Sequence, residues 1–132
     1  MESSHRKVLI IEDESSIRSL LFGLLAQLGC KADAAMDGRE ALAKISREKF
    51  DSVLLDLRCS NFQPEEVIPE IHRICPSLIG RVLVITGEVA DEKTLRLIEQ
   101  YFLLQIPQHR LSRDIQGLLR ALLGIRPSHR PS

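Results

Sequence analysis

The sequence has no tryptophan, one tyrosine and four phenylalanines, so aromatics make up only 4% of its 132 residues. That is too few for the stacking platforms that bind single-stranded nucleic acid. It also has no net charge, with 18 Lys+Arg against 18 Asp+Glu, whereas a protein held to polyanions by electrostatics shows a strongly basic balance. Cysteines number three, Cys30, Cys59 and Cys75; an odd, widely spaced set argues against a disulfide framework and fits a reducing compartment. Long apolar runs are missing too. Val8-Leu9-Ile10-Ile11 is cut off by Glu12-Asp13-Glu14, where a signal peptide needs roughly 7–15 apolar residues and a membrane span about 20. A cytoplasmic protein without membrane contact is expected. No glycine-rich phosphate loop, nucleophile elbow or zincin motif occurs. What remains is a 44% hydrophobic, mostly aliphatic chain of single-domain length.

The aliphatic residues are ordered. Val8–Ile11 and Ser52–Leu57 are apolar runs ending in or near acids, the pattern of strands buried on both faces. Ile17, Leu20, Leu21, Leu24, Leu25 and Leu28 recur at helical spacing, which predicts a helix with Ser15 or Ser16 as N-cap and Gly29 as its stop. Lys31–Ala35 reads as a weaker strand, Asp37-Gly38 as a turn, and Ala41, Leu42 and Ile45 as the next helix. Pro64 opens a helix through Val67, Ile68, Ile71, Ile74 and Cys75, which Pro76 ends. Pro69 is expected in or near the first turn, because deeper in it would kink the helix. Arg81–Ile85 is a further strand leading into Thr86-Gly87, and Asp91 can cap a helix through Leu95 and Ile98. Phe102–Ile106 reads as the last strand, and Leu111, Ile115, Leu118 and Leu122 mark the last helix. Residues 125–132, with two prolines and two serines, are expected to form a disordered tail. Five strand–helix units, with strands about 20–25 residues apart, predict an α/β fold with a parallel sheet and right-handed crossovers.

In an open parallel sheet all carboxyl ends lie on one edge, and ligands bind there. Glu12-Asp13, Asp56 and Thr86 all fall at such ends. Carboxylates crowded into one crevice disfavour each other's ionisation unless a cation neutralises them. An all-oxygen set suits a hard divalent ion, and Mg²⁺ is the natural choice. Any one of these acids alone would pass for a loop residue or helix cap; the four together point to a site.

On these motifs, VLIIEDE around Glu12-Asp13, VLLDL around Asp56 and VLVITG around Thr86, the chain from residue 5 to residue 124 resembles a response-regulator receiver domain. The resemblance implies a flavodoxin-like (βα)5 doubly wound parallel sheet with strand order 2-1-3-4-5. It implies that Asp56 is the phosphoacceptor, attacking a phosphohistidine or a small acyl phosphate. Glu12 and Asp13 would hold Mg²⁺ directly or through water, with an Asp56 oxygen and the backbone carbonyl of Arg58. Thr86 would donate its hydroxyl to the phosphoryl group and act as a switch, and Gly87 would leave room for it. The implied partners are a sensor histidine kinase or phosphotransfer protein and a downstream protein target. The face built from the fourth helix, fifth strand and fifth helix is the implied docking surface, without direct nucleic-acid or membrane contact.

The departures are specific. The family carries a Lys before a cis-Pro at the end of the fifth strand; Gln105-Ile106-Pro107 puts Ile106 at that position, and no lysine follows Lys93. The usual switch-aromatic position holds Leu103, beside Tyr101 and Phe102. The loop after the phosphoacceptor has Ser60 and Pro64 where the family has a Pro and a Gly. The expectation is an atypical receiver, a response regulator without separate substrate turnover, acting by protein contact because the eight-residue tail leaves no room here for an output module. The alternative is a phosphorylation-independent scaffold, a pseudo-receiver. An aspartyl phosphohydrolase is disfavoured, since Arg58 stands where such enzymes need a second carboxylate.

Three weaker signals remain. His72 and Cys75 at i, i+3 make an incomplete metal pair, better read as helix packing. Cys59, three residues past Asp56, reads as an incidental loop cysteine. Arg110, Arg113, Arg120, Arg126 and Arg130 against Asp114 make the C-terminal segment basic, either a solvated helix face or a docking surface.

Overall fold

A computed structural model describes residues 6–59, 62–87 and 91–125. Five strands, β1 (Lys7–Ile11), β2 (Lys31–Ala35), β3 (Ser52–Asp56), β4 (Val82–Thr86) and β5 (Leu104–Pro107), form one sheet. They pair in the order β2-β1-β3-β4-β5, and every pairing is parallel. Five helices alternate with them: α1 (Ser15–Gln27), α2 (Gly38–Arg47), α3 (Pro64–Ile74), α4 (Glu92–Tyr101) and α5 (Leu111–Leu123). The expected flavodoxin-like topology is the one observed.

Strand alternation divides the core. Val8, Ile10, Leu54, Leu83, Ile85 and Ile106 face α1 and α5, where Ile17, Leu21, Leu25, Leu111, Ile115, Leu119 and Leu123 meet them. Leu9, Ile11, Val53, Leu55, Val82 and Val84 point the other way, onto Ala41 and Ile45 of α2, Val67, Ile68 and Ile71 of α3, and Ile98 of α4. Both faces of the central strands are therefore covered. This accounts for their unbroken apolar sequences and for a clear alternation being absent from β1, β3 and β4.

Several local expectations need correction. Neither Ser15 nor Ser16 caps α1: the helix begins at Ser15, Glu14 is the N-cap without a side-chain cap bond, and Ser16 Oγ donates to Glu14 Oε2 at 2.9 Å. Of the α1 stripe, Leu20 is exposed and Leu24 and Leu28 are only partly buried, because the helix contacts the sheet along the narrower Ile17–Leu21–Leu25 line. Gly29 does stop the helix, at φ +76. Asp37 caps α2 by accepting from the Glu40 N–H. Pro69 is the sixth residue of α3, beyond the first turn. Arg81 ends a 3-10 turn spanning Pro76–Arg81, so β4 begins one residue later, at Val82. Phe102 is not strand: it adopts a left-handed conformation (φ 54, ψ 43) that closes α4, and the Leu103 N–H reaches back to the Ile98 carbonyl. The buried line of α5 is Leu111, Ile115, Leu119 and Leu123, with Leu118 and Leu122 at its edge. The peptide bond into Pro107 is trans, as are all those described. Of the expected tail only Ile125 lies among the described residues, packed against the α1/α5 core.

Candidate functional site

The sheet register builds the site. Ile11 pairs with Leu55, so the next residues, Glu12 and Asp56, leave adjacent strands side by side. Asp56 in turn pairs with Ile85, which places Thr86 one residue beyond it on the next strand. Glu12, Asp56 and Thr86 are all buried. Hydrogen bonds fix the strand ends: the Glu12 N–H donates to the Ala35 carbonyl at 3.1 Å and the Leu57 N–H to the Ile85 carbonyl at 3.0 Å. Arg18 of α1 adds a bond from Nη1 to the Glu12 carbonyl at 3.1 Å.

Asp56 is gripped by one neighbour. Arg58 donates Nε to Oδ1 at 3.1 Å, Nη2 to Oδ2 at 2.9 Å, and its backbone N–H to Oδ1 at 2.9 Å. These charge-assisted bonds raise the pKa of the guanidinium further still. Glu12 has no such partner among the described residues. Burial first, then the side chain and charge of Asp56, push its pKa up from 4.5 to about 8, with a small further push from Asp13. One arginine thus balances one buried carboxylate, while burial beside that carboxylate favours the protonated form of the other. Thr86 enters none of these hydrogen bonds.

The donor set suits Mg²⁺, which takes one or two carboxylates and keeps several waters. Glu12 Oε1 is buried without a hydrogen-bond partner among the described residues. Such an orphan needs an explanation, and an absent ion or water is one of the usual ones. The cage is not ready-made, however: among the described residues no three acidic, histidine or cysteine side chains form a metal-holding group.

The remaining sequence-level candidates fall in different places. Ile106 lies in the cross-sheet row of Asp56 and Ile85, but its side chain is sealed in the α1/α5 core. Leu103 is buried in the opposite core. His72 packs against Tyr101, ring centroids 5.6 Å apart, and Cys75 is the C-cap of α3, so the two do not form a metal pair. Cys59 is buried in the α2/α3-side core, with Sγ 3.9 Å from the Met36 carbonyl. Arg110 and Arg113 both pair with Asp114, while Arg126 and Arg130 lie outside the described residues. The residue that sequence reasoning undervalued is Arg58, whose carbonyl was assigned to the metal and whose side chain served only to disfavour a phosphohydrolase. Its signal was present: an arginine two positions from an acid at a buried strand end, in a chain lacking the lysine.

Comparison with known proteins agrees with this fold. The family model for the response regulator receiver domain matches residues 8–103. A probable transcriptional regulator of Cyanophora paradoxa is 32% identical over 122 residues, covering 91% of this chain and 51% of that protein. The chain spans between about a fifth and about half of the length of the curated relatives it matches. The crystal structure of a CheY-like response regulator receiver domain protein from Methanospirillum hungatei JF-1 superposes with a TM-score of 0.82 at 22% identity, over 92% of this chain and 95% of that one. The receiver domain of the sensor histidine kinase PA1611 from Pseudomonas aeruginosa PAO1, solved with a magnesium ion in its active-site cleft, superposes with a TM-score of 0.77 at 17% identity, over 92% and 99%. No described helix is long and apolar enough to cross a membrane. With the family model covering most of its length, this chain belongs to the response regulator receiver domain family of two-component signalling.

Proposed function

We propose that this receiver accepts a phosphoryl group on Asp56, with Mg²⁺ held by Glu12, Asp13, Asp56 and the Arg58 backbone carbonyl. The observation that carries the reading is the pair of buried carboxylates on adjacent strand ends, one of them with an unpartnered oxygen. One Asp56 oxygen attacks phosphorus. The bond to the donor's nitrogen or oxygen breaks, its electron pair leaves with the donor, and an acyl phosphate remains on Asp56. Bound metal supplies charge neutralisation for the incoming phosphoryl oxygens. Glu12 would give its proton to solvent and offer the metal its otherwise orphaned oxygen, and Thr86 would donate its hydroxyl to a phosphoryl oxygen. The protein acts on itself and turns over no separate substrate.

The domain runs from about residue 5 to residue 124 and works in the cytoplasm. Its donor is a sensor histidine kinase or phosphotransfer protein. Output is by protein contact at the face of α4, β5 and α5, where Leu95, Phe102 and Leu104 are exposed. A phosphorylation-independent scaffold is the second reading, favoured by one feature: Ile106 is sealed in the core and offers a phosphoryl group neither charge nor donor. Amide NMR separates the two. Under the leading reading, Mg²⁺ shifts resonances around Glu12 and Asp56, and beryllofluoride then shifts Thr86 and Gly87. A scaffold shows neither set of shifts.

A further inference from the structure

Arg58 does more than neutralise a buried acid. Both Asp56 oxygens are engaged by its fork, so the nucleophilic oxygen and its partner are covered by one guanidinium. The stem follows a definite path. A methyl group placed on Gly87 would meet Arg58 Cδ at 3.4 Å and Cγ at 3.7 Å, so the side chain runs from the end of β3 along the backbone of Gly87, beside Thr86. With 35% of its side-chain surface exposed against 2% for Asp56, Arg58 forms the outer wall of the crevice.

A phosphoryl group arriving at Asp56 brings negative charge toward two carboxylates and requires cationic donors of its own. The end of β5 offers none, since Ile106 is buried among aliphatics and Pro107 has no N–H. The arginine fork matches phosphate oxygens as well as it matches a carboxylate.

Resting on the reading of Asp56 as phosphoacceptor, we infer that Arg58 is the phosphoryl-positioning residue of this receiver. In the metal-free protein its fork occupies Asp56 and competes with divalent metal. With metal and a phosphoryl group in place, the fork transfers to the phosphoryl oxygens while the stem stays on Gly87. The backbone N–H of Arg58 keeps its bond to Asp56 throughout. The exchange is of hydrogen bonds only.

Such a residue acts in opposite directions on two ligands, which a structural ion pair does not. Isothermal titration measures Mg²⁺ affinity first, and beryllofluoride affinity at saturating Mg²⁺ second, for the wild type, Arg58→Ala and Arg58→Lys. In Arg58→Ala, removal of the charge-assisted pair should tighten Mg²⁺ and weaken beryllofluoride, each by about tenfold. Arg58→Lys keeps the charge without the fork, so it should recover only part of the beryllofluoride affinity; it also serves where the alanine variant fails to fold. Unchanged affinities, or shifts of the same sign for both ligands, overturn the inference. A wild type that binds neither Mg²⁺ nor beryllofluoride overturns the phosphoacceptor reading beneath it.

Discussion

Glu12 and Asp56 stand side by side at the ends of β1 and β3, both buried, but among the described residues only Asp56 has a cationic partner. The consequence is a pH dependence of known sign. Unfolded, Glu12 ionises near 4.5; folded and metal-free, it holds its proton up to about 8. Between those values the native state binds the extra proton, so stability is fully present below 4.5 and is lost as pH rises through about 8. Urea midpoints without divalent metal should fall across that interval in the wild type and much less in Glu12→Gln, whose amide cannot ionise. Equal slopes in the two proteins would refute the assignment.

A second prediction concerns the close approach of α2 and α3. A Cβ on Gly38 would lie 2.6 Å from Val67 Cγ2, inside any permitted contact. Val67 is buried and β-branched, so it has little room to turn away. Gly38→Ala should destabilise by about 1–3 kcal/mol through overpacking. The cost should shrink when Val67→Ala is present, as a double-mutant cycle in urea would register.

Pro69 gives the opposite sign. As the sixth residue of α3 it cannot donate to the Glu65 carbonyl, and its ring crowds that carbonyl. Pro69→Ala restores the donor and should stabilise by about 1–3 kcal/mol. Thermal unfolding is the check, and a lower melting temperature would show that the ring's packing outweighs the missing bond.

Phe102 combines a left-handed backbone with 86% exposure of its side chain. The conformation carries a cost for any L-residue with a bulky Cβ. Phe102→Gly should therefore stabilise by about 0.5–1 kcal/mol despite removing an aromatic ring. If Phe102 instead serves output, the same variant should weaken binding of the downstream partner while raising the melting temperature.

Fold order and the acid set were legible because they depend on patterns that tertiary structure reinforces. The buried central strands spell themselves as VLII, VLL and VLVI, and parallel geometry then forces Glu12, Asp56 and Thr86 to one edge. The misread boundaries are places where capping geometry or tertiary packing decides. Phe102 looks like strand because it is aromatic and precedes apolar residues, yet the bond from the Leu103 N–H to the Ile98 carbonyl keeps this segment in the helix end. Pro69 looks like a first-turn residue, but Val67, Ile68 and Ile71 buried on either side of it hold the helix together. The Arg58 fork was hidden for a different reason. Sequence reports that an arginine stands two residues from an aspartate, not that strand end and turn aim its guanidinium back at the carboxylate.

The central claim is that Asp56 is the phosphoacceptor. Intact-mass measurement after incubation with acetyl phosphate and Mg²⁺ tests it most directly. One added phosphoryl group on the wild type, absent from Asp56→Asn and absent when metal is chelated, is the predicted result. No adduct on the wild type, or an adduct that survives in Asp56→Asn, would contradict it.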